Sequence, residues 1–248
     1  TVIITGASRG IGAAAARVFA AQGADVMLLA RTADEIIALA DEIGPNAMAL
    51  KCDVSQYDAV ATAVTECAER FGKVDILVNN AGVGFIGNIE QTEEEDFDRL
   101  YQVNVKGVFN CIKAILPRMK KHGGVIVNMA SITAHIAVKN RFAYTTTKGA
   151  VLAMTNAIAK DYIANGIRCN SVSPARVHTP FVDNFLNKNY PGEEKEMFEN
   201  LSQTQPIGRM GKPQEVGDLV LYLCSEEASF ITGTDFPIDG GFIKLNGN

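Results

Sequence analysis

Short apolar runs that alternate with longer helical stretches are the feature that most limits the folds open to this chain. Seven runs have the length and β-branched content of buried strands: Val2–Thr5, Asp25–Ala30, Met48–Cys52, Ile76–Asn79, Val125–Met129, Arg168–Val172 and Thr234–Ile238. Six helical stretches separate them: Ile11–Gly23, Thr32–Ile43, Ser55–Phe71, Thr92–Lys120, Phe142–Tyr162 and Pro213–Cys224. Because such alternation builds βαβ units with right-handed crossovers, the pattern predicts an α/β fold with a doubly wound parallel sheet flanked by helices.

Two pairs of residues are predicted to fix helix starts. Thr32 with Glu35, and Thr92 with Glu95, have the spacing of a capping box, in which each side chain bonds the backbone of the other residue. The second of these pairs is expected to open a long helix that runs to about Lys120.

No repeat, low-complexity tract or linker divides the chain, so residues 1–248 are predicted to form one domain. The strand and helix rhythm is interrupted only between residues 179 and 211. Apolar residues there have the spacing of short amphipathic helices: Phe181, Phe185, Met197, Phe198 and Leu201. An insertion after the carboxyl end of a strand is predicted to be a helical lid over a ligand, the alternative being a simple surface excursion.

Composition narrows the possible functions. The net charge of −5, with no block of basic residues, argues against nucleic acid or an anionic membrane as a partner. No apolar run approaches the roughly 18 residues that span a bilayer. The five cysteines and three histidines form no CxxC or HExxH, so we expect no metal site but buried thiols in a cytoplasmic protein. The chain begins at Thr1 without an initiator Met, and a few residues are expected to precede it.

A glycine loop with the sequence TGASRGIG, residues 5–12, follows the first predicted strand and opens the first helix. Gly10, Gly12 and Ala15 satisfy the dinucleotide fingerprint G-x-G-x-x-G/A, and Gly6 stands four residues upstream. Glycines allow the backbone to approach a pyrophosphate, and the helix amino terminus supplies N–H donors and positive potential. The loop therefore predicts a dinucleotide site of the Rossmann type.

Ser131, Tyr144 and Lys148 form a possible acid–base group. Tyr144 and Lys148 are four residues apart and therefore share one face of a helix, while Ser131 follows the strand that ends at Met129. An ammonium about 4 Å from the phenol contributes about 4 kcal/mol at an effective dielectric near 20, which would lower the phenol pKa from its usual value near 10. Such a tyrosine could serve as a general acid and base, although this spacing alone also arises by chance.

Five motifs occur in order along the chain: TGASRGIG, NNAG (79–82), Ser131, YTTTK (144–148) and SPARVHTP (173–180). Together they resemble the short-chain dehydrogenases/reductases, and the resemblance covers essentially the whole chain. It implies an NAD(P)-dependent oxidoreductase that interconverts a secondary alcohol and a ketone. A non-catalytic nucleotide sensor is the alternative from another class, and the complete set of acid–base residues argues against it.

The resemblance also implies roles for four residues. Tyr144 would exchange a proton with the substrate oxygen, Lys148 would hold the ribose hydroxyls, and Ser131 would bond the reacting oxygen. Asn104 would hold a water that links Lys148 to solvent. An apolar stripe places this Asn on the buried face of its helix: Phe97, Leu100, Tyr101, Val108 and Ile112. A buried amide needs partners, and bonding to nearby carbonyls is the alternative.

The cofactor contacts are also implied by matching positions. Asp53 would contact the adenine, although it could simply cap the chain before Ser55. Two departures from the family pattern occur: Ala175 stands in place of the Gly after Pro174, and Ala134 stands in place of a frequent Gly three residues after Ser131. The predicted cofactor-binding residues are Gly6, Ser8, Arg9, Gly10, Ile11, Gly12, Arg31, Asp53, Val54, Asn80, Ala81, Gly82, Tyr144, Lys148, Pro174, Val177 and Thr179.

The sequence favours NADP(H). Family members that use NAD are similar to one another in placing an Asp at the end of the second strand, where this chain has Ala30. Arg31 follows it, and Arg9 lies in the glycine loop; two guanidiniums without a nearby Asp suit a 2′-phosphate. If Arg9 instead lies over the adenine and Arg31 is solvated, NAD(H) is the cofactor.

Substrate polarity is suggested by Arg141, Arg176 and His178, which flank the catalytic and nicotinamide positions. They favour a sugar, sugar acid or other polar molecule, the alternative being solvated charges on a rim. A 3-oxoacyl group on an acyl carrier protein remains a second candidate, since the basic run Arg118, Lys120 and Lys121 could dock an acidic carrier. The family resemblance further implies a homotetramer.

Overall fold

Seven parallel strands form one sheet in the order β3-β2-β1-β4-β5-β6-β7. This computed structural model describes residues 1–245, apart from the side chains of Phe181, one of the predicted lid positions, and Asn189. The strands are β1 (Val2–Thr5), β2 (Val26–Ala30), β3 (Ala47–Lys51), β4 (Ile76–Asn79), β5 (Gly124–Met129), β6 (Ile167–Pro174) and β7 (Asp235–Ile238). The chain winds outward from β1 to β3 and then returns to β4 beside β1, so the predicted doubly wound sheet is confirmed. The organisation into one domain stays a prediction.

Ten α-helices accompany the sheet within residues 1–245: α1 (Gly10–Ala21), α2 (Ala33–Ile43), α3 (Tyr57–Phe71), α4 (Glu94–Tyr101), α5 (Gly107–Met119), α6 (Phe142–Tyr162), α7 (Pro180–Asn189), α8 (Glu194–Gln203), α9 (Pro213–Cys224) and α10 (Phe242–Leu245). The helix expected from Thr92 to Lys120 is helical from Glu94 to Met119, and a π-helical segment, Gln102–Lys106, interrupts its regular α geometry between α4 and α5.

Apolar clusters cover both faces of the sheet. Neighbouring strand residues point to opposite faces, so Ile3 packs with α3, α5 and α6 while Ile4 packs with α1, α2 and α9. Both residues are fully buried, as expected for a parallel sheet with helices on both sides. The continuous apolar runs in the sequence are therefore explained by burial on two faces.

The two predicted capping boxes are wrong. Thr32 stands at the start of α2 without a side-chain cap bond, and Glu35 pairs with Arg9 of the glycine loop instead. Thr92 donates its hydroxyl to the Asn88 carbonyl oxygen at 2.7 Å, and α4 begins at Glu94. In both places, one side chain of the predicted pair bonds a residue outside the helix and therefore does not bond the backbone at the helix start.

The predicted short helices between residues 179 and 211 are α7 and α8, which lie between β6 and α9. Backbone strain at Ala175 and Ala134 is absent, because Asn140 is the one non-glycine residue among positions 1–245 with a left-handed φ.

No helix in the described part of the chain is long and apolar enough to cross a membrane. The described residues also bring together no group of three metal-ligating side chains, and the cysteines are free thiols.

Candidate active site

A cavity of about 570 Å³ opens where the carboxyl ends of the strands meet, beside the point at which the chain order reverses between β1 and β4. Most of the predicted site residues line it: Gly6, Ser8, Arg9, Gly10, Ile11, Arg31, Asp53, Val54, Asn80, Ala81, Gly82, Ser131, Arg141, Tyr144, Lys148, Pro174, Arg176, Val177 and Thr179. Gly12, Asn104 and His178 do not form part of its wall. The cavity has the size of a ligand site.

The glycine loop forms a cradle without room for side chains. A Cβ added to Gly12 would lie 2.3 Å from the Gly6 carbonyl oxygen and 2.5 Å from Asn80 Nδ2. Gly6 itself has a φ of 63°, which favours glycine. Backbone packing this close, directly before α1, leaves the helix amino terminus open to the cavity and fits the pyrophosphate of a dinucleotide.

Asn80 ties the loop after β4 to the glycine loop. Its Nδ2 donates to the carbonyl oxygens of Thr5 and Gly6, each at 3.0 Å. In return, the Thr5 hydroxyl accepts the backbone N–H groups of Asn80 and Ala81, each at 3.0 Å. The NNAG motif therefore holds the glycine loop in shape from the neighbouring strand, a role that its sequence alone does not reveal.

Lys148 is a buried cation without a carboxylate partner among the described residues. Its Nζ donates to the Met129 carbonyl oxygen at 2.7 Å and lies 5.8 Å from the centroid of the Tyr144 ring. Burial lowers the pKa of its ammonium from 10.5 to about 8. The cavity therefore contains an amine that is charged at pH 7 but loses its proton far more readily than an exposed lysine does.

The Tyr144 phenol departs from the expectation drawn from sequence. Burial raises its pKa, while the hydrogen bond with Ser131 and the charge of Arg141 act in the opposite direction and do not prevail. A lowering by the Lys148 ammonium was expected, but loss of hydration outweighs nearby charge here. The phenol is therefore held protonated, beside a Ser131 side chain that also accepts the Thr133 N–H at 3.2 Å.

Asn104 lies in the π-helical segment and is almost fully buried. Its Oδ1 accepts the Val83 N–H at 2.8 Å, and its Nδ2 donates to the Val83 carbonyl oxygen at 2.9 Å and the Thr147 hydroxyl at 3.1 Å. Its partners are thus backbone and hydroxyl groups nearby, as the alternative for a buried amide expected. A Cβ on Gly82 would lie 3.4 Å from this Oδ1 and 3.6 Å from Lys148 Nζ, so only the glycine separates the two groups.

We expect Lys148→Met to be more stable than the wild type by about 2 kcal/mol at pH 7. The lowered pKa of Lys148, about 8 against 10.5, corresponds to about 3 kcal/mol of burial cost, from which about 1 kcal/mol is lost with the bond to Met129. Below pH 8 the lysine is charged in both the folded and unfolded states, so the full cost is present; it falls as the pH rises from 8 to 10.5.

Urea unfolding of both proteins at pH 7 and pH 10 measures this difference in the free energy of unfolding. The advantage of the variant should shrink at the higher pH, since the unfolded state then binds more protons than the folded one. An advantage that is absent at pH 7, or equal at both values, would contradict the buried charge.

The predicted substrate residues separate into two groups. Arg141 and Arg176 are partly buried and line the cavity with Ser131 and Tyr144. His178 does not line the cavity; its Nε2 meets Asp183 Oδ1 at 2.9 Å and its ring contacts Phe198 edge-on.

Several residues of the cavity wall escaped sequence reasoning. Met210 lies between α8 and α9, and Phe242 opens the short helix α10 near the end of the chain. Neither lies in a motif, and only the fold brings them to the site. Phe185 and Leu201, two of the predicted apolar lid positions, do line the cavity.

The end of the cavity beside β2 and β3 contains the residues expected to determine the preference for NADP(H) or NAD(H). Arg9 donates from its guanidinium to both carboxylate oxygens of Glu35. The prediction of NADP(H) considers carboxylates only at the end of the second strand and therefore does not include this one. Arg31 is exposed, and no hydrogen bond or ion pair involves its side chain among the described residues. Asp53 both faces the cavity and accepts the N–H and hydroxyl of Ser55, at 3.0 and 2.8 Å.

Comparisons with known proteins agree with this geometry. A family model described as enoyl-(acyl carrier protein) reductase, a short-chain dehydrogenase model, matches residues 6–243. The oxidoreductase UcpA of Salmonella typhimurium is 42% identical over 97% of this chain and 93% of its own length. The chain belongs to the short-chain dehydrogenase/reductase family.

Two similar solved structures contain a nicotinamide dinucleotide. A 3-ketoacyl-(acyl-carrier-protein) reductase from Brucella melitensis in complex with NADH has a TM-score of 0.90 and 36% identity over 97% of each chain. The L-sorbose reductase of Gluconobacter frateurii, in complex with NADPH and L-sorbose, has a TM-score of 0.93 and 30% identity over 98% of this chain and 96% of its own. This short-chain dehydrogenase/reductase is therefore an oxidoreductase that acts on alcohol and ketone groups with a nicotinamide dinucleotide.

Proposed function

We propose that the enzyme interconverts a secondary alcohol and a ketone on a small polar molecule, with Tyr144 as the proton-transfer group. The observation that carries the proposal is the convergence of Ser131, Tyr144 and Lys148 on the same cavity that the glycine loop opens into. When bound, the nicotinamide ring supplies or accepts the hydride. All proton handling falls to side chains of this chain.

The phenol of Tyr144 donates its proton to the oxygen of a ketone and takes it back from an alcohol. Because burial keeps its pKa high, the protonated phenol is the resting form, which suits reduction. Ser131 orients the substrate oxygen by a hydrogen bond. Lys148 holds the ribose hydroxyls and, with its pKa lowered to about 8, returns a proton to the phenol after each turnover.

Asn104 is proposed to complete a proton path to solvent. Support comes from its place one glycine away from Lys148, where a water bonded to Oδ1 could reach the ammonium. Its two bonds to Val83 hold the same amide in position, so the path and the structural role are compatible.

A screen of oxidation and reduction tests the reaction class. Purified protein would be assayed with sugars, sugar acids, cyclic alcohols and 3-oxoacyl thioesters, each with NADPH or NADP⁺ and with NADH or NAD⁺. The proposal expects hydride transfer with at least one polar alcohol or ketone. Absence of turnover throughout, together with tight dinucleotide binding, would favour a nucleotide sensor.

Reduction of a 3-oxoacyl group on a carrier protein is the second candidate function. A solved relative has this activity by name, which gives the candidate some support. The basic run Arg118, Lys120 and Lys121, however, lies where α5 ends and β5 begins, at the amino edge of the sheet. The cavity opens at the opposite, carboxyl edge, so this run does not favour docking of a carrier beside the site.

Cofactor choice is proposed to favour NADP(H), with Arg31 as the contact for the 2′-phosphate. No side chain of the described residues pairs with Arg31, whereas Arg9 is already engaged by Glu35. One charge-assisted contact is worth about 1.5–3 kcal/mol, or about 10- to 100-fold in preference. We expect the ratio of kcat/KM for NADPH over NADH to fall by that factor in Arg31→Ala.

Arg17→Ala is the matched control for this test, since Arg17 is an exposed arginine on α1 that pairs with Glu42 and does not line the cavity. Its ratio should equal that of the wild type. A wild type that prefers NADH, or a preference that survives the loss of Arg31, would make NAD(H) the cofactor.

Self-association is also proposed, as a homotetramer. Large apolar side chains remain exposed on α4, α5 and α6, among them Tyr101, Phe109 and Phe142. Such a surface is typical of one that a second copy of the chain covers.

A further inference from the structure

Two arginines face the catalytic half of the cavity without an acidic partner. Arg141 immediately precedes α6, three residues before Tyr144, and Arg176 follows β6. Both side chains line the cavity together with Ser131 and Tyr144. Neither takes part in any ion pair among the described residues, although the chain as a whole carries a net charge of −5.

Each guanidinium uses little of its bonding capacity. Arg141 donates from Nη1 to the Phe85 carbonyl oxygen at 3.2 Å, and Arg176 donates from Nε to the Thr204 hydroxyl at 3.1 Å. A guanidinium has five N–H donors in a planar fork, so most donors of both residues are left for a ligand. Each of the two bonds holds its own arginine side chain at the cavity wall.

The surroundings do not neutralise this pair. Burial lowers the pKa of both guanidiniums, and the charge of Arg141 lowers that of Arg176 further, so the two cations lie close enough to repel. Asp53 is the single acidic residue of the described cavity wall; it follows β3 and holds Ser55. Two half-buried like charges without a counter-charge are unfavourable unless an anion joins them.

We propose that Arg141 and Arg176 together bind an oxyanion of the substrate, so that the enzyme acts on a hydroxy acid and the corresponding oxo acid. The proposal rests on the assigned alcohol and ketone chemistry and adds the substrate class. Arg141 precedes Tyr144 by three residues and lines the same cavity, which places the anion on the catalytic side of the substrate. A planar carboxylate matches the guanidinium fork, and a sulfonate shares its charge and oxygen donors.

Dead-end binding tests the proposal without any need for turnover. The full chain, saturated with oxidised dinucleotide, would be titrated calorimetrically with three ketones, each as free acid and as methyl ester: 3-oxobutanoate, 4-oxopentanoate and 4-oxocyclohexanecarboxylate. A parallel arm with 3-oxobutanesulfonate distinguishes a carboxylate from a sulfonate as the preferred anion. At least one anion should bind about 10-fold or more tightly than its neutral ester.

Arg141→Gln and Arg176→Gln should each weaken binding of that anion by about 10- to 100-fold and leave the neutral ester unchanged. Lys139→Gln is the matched control, because Lys139 is an exposed cation two residues from Arg141 that does not line the cavity. It should change anion binding less than about twofold, a margin well below one charge-assisted bond. Affinity for the dinucleotide, measured separately, should be the same in all four proteins.

The proposal is overturned if no anion binds more tightly than its ester, or if the preference persists in both arginine variants. It is equally overturned if Lys139→Gln weakens binding as much as they do. A parallel loss of dinucleotide affinity would instead assign the arginines to the cofactor. Because this readout involves no hydride transfer, a failure of the catalytic assignment would appear in the turnover of Tyr144 variants and not here.

Discussion

Tyr144→Phe should lower kcat/KM by about 10³-fold or more while the dissociation constant of the dinucleotide stays within about twofold. The substitution removes one oxygen and keeps the ring, so the cavity wall and its packing are retained. Only the group that gives and takes the proton is lost. Ser131 cannot replace it, since a serine hydroxyl is a poor acid, and Lys148 is proposed to deliver its proton through the phenol that this variant lacks.

Tyr162→Phe is the matched control, because Tyr162 ends the same helix α6 and is remote from the cavity. It should retain wild-type turnover. Lys148→Ala should weaken both turnover and dinucleotide binding, which separates its proposed role from that of the tyrosine. Retention of a tenth of the activity in Tyr144→Phe would refute the assignment of the proton-transfer group.

Gly12→Ala should weaken dinucleotide binding by about 100-fold, which corresponds to about 2.7 kcal/mol. Alanine in place of glycine inside a helix normally stabilises by up to about 1 kcal/mol. Here the added Cβ would lie 2.3 Å from the Gly6 carbonyl oxygen, a backbone atom, so the glycine loop must move. The displacement also disturbs the bonds that Asn80 makes to Thr5 and Gly6.

Gly149→Ala provides the comparison, since Gly149 lies within α6 and an added Cβ would meet no atom within 4 Å. It should bind the dinucleotide normally and gain up to about 1 kcal/mol in free energy of unfolding. Titration of cofactor fluorescence and thermal unfolding measure the two effects. Normal dinucleotide affinity in Gly12→Ala would show that the cradle is not the pyrophosphate site.

The sheet could be predicted from sequence because its signal is local. Val2–Thr5 and Ile76–Asn79 are strands as predicted, and each is a short apolar run that two helical layers bury. Phe142–Tyr162 and Pro213–Cys224 also match their predicted bounds. For elements whose burial follows from the residues of their own segment, the apolar pattern of that segment is sufficient to predict them.

Features that depend on contacts between distant segments could not be predicted in this way. Glu35 fits a capping box in its own segment, yet its carboxylate meets Arg9 from another loop. The direction of the Tyr144 pKa depends on how deeply the fold buries the phenol, and the spacing to Lys148 does not contain that information. Met210 reaches the cavity from the segment after α8 for the same reason.

The division of the long helix was missed because one extra residue hardly changes the apolar spacing. Leu100 and Val108 are both buried, so the stripe predicted to pass through Asn104 is real at these positions. Tyr101, predicted to belong to the stripe, is 47% exposed instead. An apolar pattern of i, i+3, i+4 and i+7 does not distinguish a regular helix from one that contains a π turn.

The π-helical segment Gln102–Lys106 carries a consequence for how this site can arise or disappear in evolution. Each residue of a regular helix turns the chain by about 100°, so deletion of one residue here would rotate α4 by that angle relative to α5. Leu100 would then turn out of the core, and the amide of Asn104 would lose Val83. Loss of a single codon within this segment would therefore be enough to remove the hydrogen bonds between Asn104 and Val83, with every side chain of the site otherwise unchanged.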